Sequence, residues 1–269
     1  MPHFVVDPAA GLERQIISPN VEQYLYTVFI ALAWCNAIEL VVLCFNTFKK
    51  YEGSYFWSLL IASLSIIPFG LGYILKMFDI TFTNSFLELA ILDLGWVGMV
   101  TGQSLVLWSR LHLVLCNRKF LRGLLCLIIV DAVLLHTSST ALEFAQNARP
   151  NNEAISLGFS IIERIQLPWF CAQELLLSSV YIWQTTKLLR MDQGQISRTV
   201  LLQLIGVNII ISVLDVSVVV IQYLGFFTFQ VTFKALAYSV KLKLEYVILG
   251  RLVDVAHIRT QGEAPRFRI

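Results

Sequence analysis

Hydrophobic and polar positions alternate along this chain in long blocks. Apolar runs occupy about 22–47, 54–77, 85–116, 119–142, 157–189, 198–224 and 229–254, separated by short polar connections. Each run exceeds the roughly 20 residues that an α-helix needs to cross a bilayer core. The pattern predicts an all-α, polytopic membrane protein built as a seven-transmembrane-helix bundle. Residues 1–21 form a polar N-terminal segment, 22–254 the transmembrane domain, and 255–269 a short tail. Pro68 in the second run and Pro168 in the fifth are expected to kink their helices, which membrane helices tolerate when neighbours satisfy the freed carbonyls.

The polar residues inside these runs are not scattered. In the third run Asp93, Trp96, Gln103 and Arg110 fall at i, i+3, i+10 and i+17, which is one helical face. In the seventh, Lys234, Tyr238, Lys241 and Glu245 follow i, i+4, i+7 and i+11. The sixth has Asn208, Ser212, Asp215 and Gln222 at i, i+4, i+7 and i+14, and the first has Asn36, Glu39 and Asn46. The fifth adds Glu163, Gln166, Gln173 and Glu174, and the fourth Asp131 and His136. A charge at mid-bilayer costs roughly 2.5–3.5 kcal/mol on insertion scales, so such residues turn toward other protein and pair. By depth, Asp215 is expected to meet Lys241 or Lys234, and Arg110 to meet Glu245 or Glu39. Lys243 points away from the stripe and is placed to snorkel toward the inner interface. The reading places Asp215, Lys241 and Glu245 around an internal polar cavity with Gln103, Glu174 and Glu39, and makes Arg110 a latch at its inner end.

Composition sharpens the class. The chain is 57% hydrophobic and 14% charged, against roughly 25% charged in soluble domains. No stretch outside the runs is long enough for a soluble catalytic domain. A net charge of +2 is uninformative, but its placement is not. Twelve basic residues (Lys49, Lys50; Arg118, Lys119, Arg122; Lys187, Arg190, Arg198; Arg251, Arg259, Arg266, Arg268) fall on one side of the bundle. Only Arg14, Lys76 and Arg149 fall on the other, so the positive-inside rule puts the N-terminus outside and the C-terminus in the cytoplasm. Tyr55, Phe56 and Trp57 at the start of the second helix, and Trp183 near the end of the fifth, are expected to form the inner aromatic belt. No cleavable signal peptide is read at the N-terminus.

Cys35, Cys44, Cys116, Cys126 and Cys171 all lie in or at the end of apolar runs, without CxxC or Cys/His spacing. No disulfide framework, metal site or cofactor motif is expected. The partners expected are the bilayer itself, a small-molecule or lipid ligand, and a cytoplasmic partner at the basic loops; nothing points to nucleic acid. The plasma membrane and an endomembrane both suit the pattern.

Several blocks together resemble a family of uncharacterised fungal seven-helix integral membrane proteins known as a domain of unknown function. They are Asn36 with Glu39, Thr47-Phe48-Lys49, Tyr55-Phe56-Trp57-Ser58, the stretch from Thr101 to His112, Gln173-Glu174, Asn208 with Asp215, and the stretch from Tyr238 to Glu245. The resemblance covers nearly all of 22–254 and implies a membrane protein with seven spans, without assigning an activity.

Four function classes follow from the residues; one, a retinal protein with Lys241 as the Schiff-base lysine, lacks the counterion expected one turn earlier, where Ala237 stands. A receptor-like protein fits the topology, the polar interior and an arginine near the inner end of helix 3. It lacks an acidic-Arg-aromatic triplet, prolines in helices 6 and 7, and a cysteine pair that could tie helix 3 to the second outer loop. A membrane-embedded cyclase acting on isoprenoids would need buried acids, which Glu39, Asp131, Glu174 and Asp215 could supply. A transporter or proton relay would use Asp215, Lys241 and Glu245, although no inverted repeat is visible.

Overall fold

The computed structural model describes residues 19–47, 53–78, 85–115, 117–149, 151–191, 195–224 and 227–262. These form seven α-helices: α1 (Pro19–Thr47), α2 (Ser54–Met77), α3 (Ser85–Val114), α4 (Arg118–Ala148), α5 (Glu153–Met191), α6 (Gln195–Tyr223) and α7 (Phe227–Gly262). No strand occurs among the described residues. Most of the N-terminal segment, Lys49, Lys50, Cys116, Arg266 and Arg268 lie outside them.

Five helices, α1 to α4 and α6, are long and apolar enough to cross a membrane. The other two, α5 at 39 residues and α7 at 36, are ample in length but more polar. Helix ends differ from the sequence expectation in two consequential places. The fourth helix continues past 142 to Ala148, which brings Glu143 into its regular surface. The seventh runs on to Gly262, so the first half of the expected tail is helical. Both α2 and α5 pass through their prolines without interruption. Asn117 caps α4, its side chain accepting from the backbone N–H groups of Lys119 and Phe120 at 3.1 and 3.4 Å.

Each helix packs on its successor, α7 returns to α1, and α3 also touches α5 and α7. The bundle is therefore a closed ring of sequential neighbours, as short connections favour, with α3 turned furthest inward. Its tightest pair is α2 with α3. An added Cβ on Gly72 would stand 2.7 Å from the Leu92 backbone, one on Gly102 would stand 2.7 Å from Ala62, and one on Gly95 would run into the Phe69 backbone. Small residues let two membrane helices bring their backbones together, which replaces the hydrophobic drive that lipid cannot provide. By contrast α1, α4 and α6 turn most of their apolar surface outward, with Leu134 62% and Val213 62% exposed.

The aromatic belt is only half as expected. Trp57 and Trp183 face outward at 52% and 74% exposure. Tyr55 and Phe56 instead point into the bundle, where Tyr55 hydroxyl donates to the Glu245 carbonyl at 3.1 Å.

Candidate functional site

The polar face of α7 points inward along its length. Lys234, Tyr238, Lys241 and Glu245 are all buried, Lys241 and Glu245 completely. Their spacing keeps them one above another because side chains three and four apart share a helical face. Everything chemically notable in the interior gathers around this line.

At its centre Lys241 Nζ donates to Glu174 Oε2 of α5 at 2.7 Å and also to Asp215 Oδ1 of α6. Tyr238 hydroxyl donates to Glu174 Oε1 at 3.1 Å, and its ring centroid lies 3.7 Å from the same ammonium. Three helices are thus tied through one cation. Two carboxyl groups answer a single ammonium, so the group holds one acid more than it can neutralise. Buried ions in this geometry are not stabilising by default, since desolvation offsets much of the attraction.

One turn toward the C-terminus, Glu245 pairs with the guanidinium of Arg110 from α3. Arg110 Nη2 donates to Asn208 Oδ1 at 2.7 Å, and Asn208 Nδ2 donates to the Leu204 carbonyl at 2.8 Å. The guanidinium plane also lies 4.5 Å over the ring of Tyr181. A planar fork with several donors suits such a junction, where a lysine would reach only one partner at a time. Arg110 is completely buried and connects α3 with α5, α6 and α7.

In the opposite direction Lys234 Nζ sits 4.0 Å above the Trp96 ring of α3. Trp96 in turn meets Tyr238 edge-to-face at 6.5 Å and His136 of α4 at 6.4 Å. Glu143 and Glu163 act electrostatically on Lys234. Asp93, buried further along the same α3 face, lies beside Thr140 and Glu143 of α4.

The structure brings together six of the seven residues singled out from sequence. Gln103, Arg110, Glu174, Asp215, Lys241 and Glu245 all lie inside the bundle, each 5% exposed or less. Gln103 stands between Trp96 and Arg110 on α3, and neither its amide nitrogen nor its oxygen has a partner among the described residues. Glu39 is the correction. Its side chain is 53% exposed and pairs at 2.5 Å with Lys243, which also donates to Asn36 Oδ1 at 3.2 Å. The physical reason is that α1 packs only on α2 and α7, at the rim of the ring. Its polar stripe therefore meets the flank of α7, not its inner face. Lys243 accordingly holds an acid where the sequence suggested only snorkelling. Lys234 takes Trp96 in place of Asp215. Among the described residues no ion pair joins Asp131 to the Glu174–Asp215 group.

Sequence reasoning missed Glu143, Tyr181 and the aromatic bridge formed by Trp96 and Tyr238. Glu143 fell beyond the expected end of helix 4. Tyr181 could have been found, since Glu174, Ser178, Tyr181 and Thr185 follow i, i+4, i+7 and i+11 and all are buried.

No curated protein matches the chain. Over residues 15–263 it matches a protein family described as a domain of unknown function, DUF7703, and the chain belongs to that family.

Proposed function

We propose that this chain spans the membrane seven times, with its N-terminus outside and its C-terminus in the cytoplasm, and works as a receptor-like protein. Residues 22–254 form the membrane domain, flanked by an outer segment 1–21 and an inner tail 255–269. The asymmetry of twelve basic residues against three supports the orientation. Inward burial of Glu174, Lys241 and Glu245 supports α5 and α7 as spans, because lipid then meets none of these charges.

The observation that carries the reading is the Lys241 centre, where two carboxyl groups share one ammonium. Unused donors and acceptors on Gln103 stand on the inward face of α3, between Trp96 and Arg110. Such a site suits a small molecule bringing one positive charge, a protonated amine. An amine that takes Asp215 or Glu174 from Lys241 changes what holds α7. Glu245 and Arg110, one turn further on, feel that change at the inner end of the bundle. A ligand shifts such an equilibrium only by its differential contacts with the two arrangements, and exchange of an ion partner is such a contact.

The test is thermal unfolding of the full chain in lipid nanodiscs, with primary amines compared against alcohols of matched size. Amines are expected to raise Tm in the wild type and to lose that effect in Glu174→Gln and Asp215→Asn. Equal shifts from alcohols, or the same amine shift in the variants, would sink the proposal.

A second reading, a proton relay, is favoured by the continuity of the column. From Lys234 to Glu245 it extends about 17 Å along α7, more than half of a bilayer core of about 30 Å. Proteoliposomes with an internal pH dye separate the two readings. A relay dissipates an imposed proton gradient in the wild type and fails to do so in Glu174→Gln, whereas a receptor leaves the gradient intact.

A further inference from the structure

Helices α2 and α4 both pack beside α3 but do not touch each other. The gap between them is a lateral groove of about 700 Å3. Ile61 of α2, Gly98 and Thr101 of α3, and Ala132, His136 and Thr140 of α4 mark its extent, and among the described residues no lysine, arginine or acidic side chain lines it. Ala132 to Ala141 spans about 14 Å of helix, so the groove lies lengthwise along the bundle wall. In a bilayer, a gap of this kind between spans is filled by lipid.

The lining narrows the kind of lipid. With no charge on its walls, the groove offers nothing to a phosphate or choline head. Most of its surface is glycine, alanine and the Cβ-branched Ile61, Val97, Thr101, Val133, Thr137 and Thr140, with Leu105 and Ser58 completing it beside His136. Side chains branched at Cβ are stiff, and glycine and alanine have nothing to rearrange. A wall that does not adapt favours a rigid, flat body over a flexible acyl chain, which would lose more conformational freedom on binding. The groove is not wholly apolar, however. His136 is 5% exposed and stacked on Phe170 at 5.0 Å. Its Nε2 meets Thr101 Oγ1 at 3.3 Å, while its Nδ1 has no partner among the described residues. Thr140 stands one turn beyond it. The hydroxyls of Ser58 and Thr137 already donate to the Tyr55 and Val133 carbonyls, so His136 and Thr140 are the places left to receive a ligand hydroxyl.

We propose that this groove is a binding site for a sterol, its ring system lying along Ile61, Gly98 and Ala132 and its single hydroxyl directed toward His136 and Thr140. The inference stands on the groove alone and is independent of what the ionic core binds.

The experiment is photolabelling of the full chain in nanodiscs with a sterol that carries a diazirine on its ring system, followed by peptide mapping. Labels are expected on the 97–105 and 132–141 stretches, with excess unlabelled sterol removing them and excess phosphatidylcholine leaving them. Ala132→Phe and Ala141→Phe fill the groove from α4 and are each expected to lower that labelling by about tenfold or more. Ala141 is exposed, so its variant folds even if the other does not. Labels spread over the outer faces of α1 and α6, or undiminished in a folded filled variant, would overturn the proposal. Equal competition by phosphatidylcholine would also overturn it, leaving the groove as ordinary acyl packing.

Discussion

The ammonium of Lys241 and the hydroxyl of Tyr238 donate to opposite oxygens of one carboxylate, Glu174, at 2.7 and 3.1 Å. Both oxygens of a buried acid on α5 are thus committed to two residues less than one turn apart on α7. Asp215 of α6 closes the group from the other side of the same ammonium. The consequence is an asymmetry between the cation and its partners.

Removing Lys241 is expected to damage the fold more than removing either acid. Lys241→Met leaves two facing carboxyl groups with no cation, at a cost of about 3–5 kcal/mol. Asp215→Asn leaves Lys241 with Glu174 and costs about 1–3 kcal/mol. The measurement is denaturation of the purified protein, with the double variant closing the cycle. The double variant should be less destabilised than the sum of the singles, by well over about 0.5 kcal/mol. Additive losses would mean that the two residues are not partners.

Arg110→Leu should behave similarly at the inner end, costing about 3–5 kcal/mol because it strands Glu245 in a dry interior. Arg110→Leu with Glu245→Leu should recover most of that loss. Arg110→Lys should fall short of wild type, since an ammonium does not serve Glu245, Asn208 and Tyr181 together. Thermal midpoints of the three variants decide the point; a double variant no better than the single refutes the pairing.

The glycines predict a contrast within one substitution type. Gly95→Ala and Gly102→Ala place a methyl group against α2 and should destabilise by about 1–3 kcal/mol. Gly123→Ala and Gly206→Ala meet nothing within 4 Å and should be neutral, or stabilising by roughly 0.5–1 kcal/mol through helix propensity. Melting curves for the four variants, measured side by side, test the seam directly.

Orientation is open to chemical labelling. In a chain freed of its five natural cysteines, Asn151→Cys between α4 and α5 should react with an impermeant maleimide added outside. Arg122→Cys near the start of α4 should react only once the membrane is permeabilised. Both positions are exposed. The reverse pattern would invert the topology.

Much of this interior was legible before any coordinates, for a specific reason. Charges in lipid are so costly that their helical spacing betrays which face is inside. The α7 line and the α3 line could be read that way, and depth narrowed the partners to Lys241 or Lys234 for Asp215 and to Glu245 or Glu39 for Arg110, without choosing within either pair. What spacing cannot give is the angle at which one helix presents its stripe to the others. Glu39 shares the periodicity of an inward face, yet α1 stands at the rim and the residue is half exposed. Glu174 was recognised as an interior acid but not as the meeting point of Lys241 and Tyr238, because that depends on how α5 is rotated. The groove between α2 and α4 was invisible for the same reason, since it arises from two helices that do not meet.

The glycine seam has a mechanical consequence. Two backbones in close contact along several turns leave no room to slide, roll or separate by small steps. Helices α2 and α3 therefore act as a stator, a single stiff plank on which Asp93, Trp96, Gln103 and Arg110 are mounted at fixed heights. The exchange of ion partners proposed for an amine would therefore have to be accommodated by α5, α6 and α7 against that fixed scale.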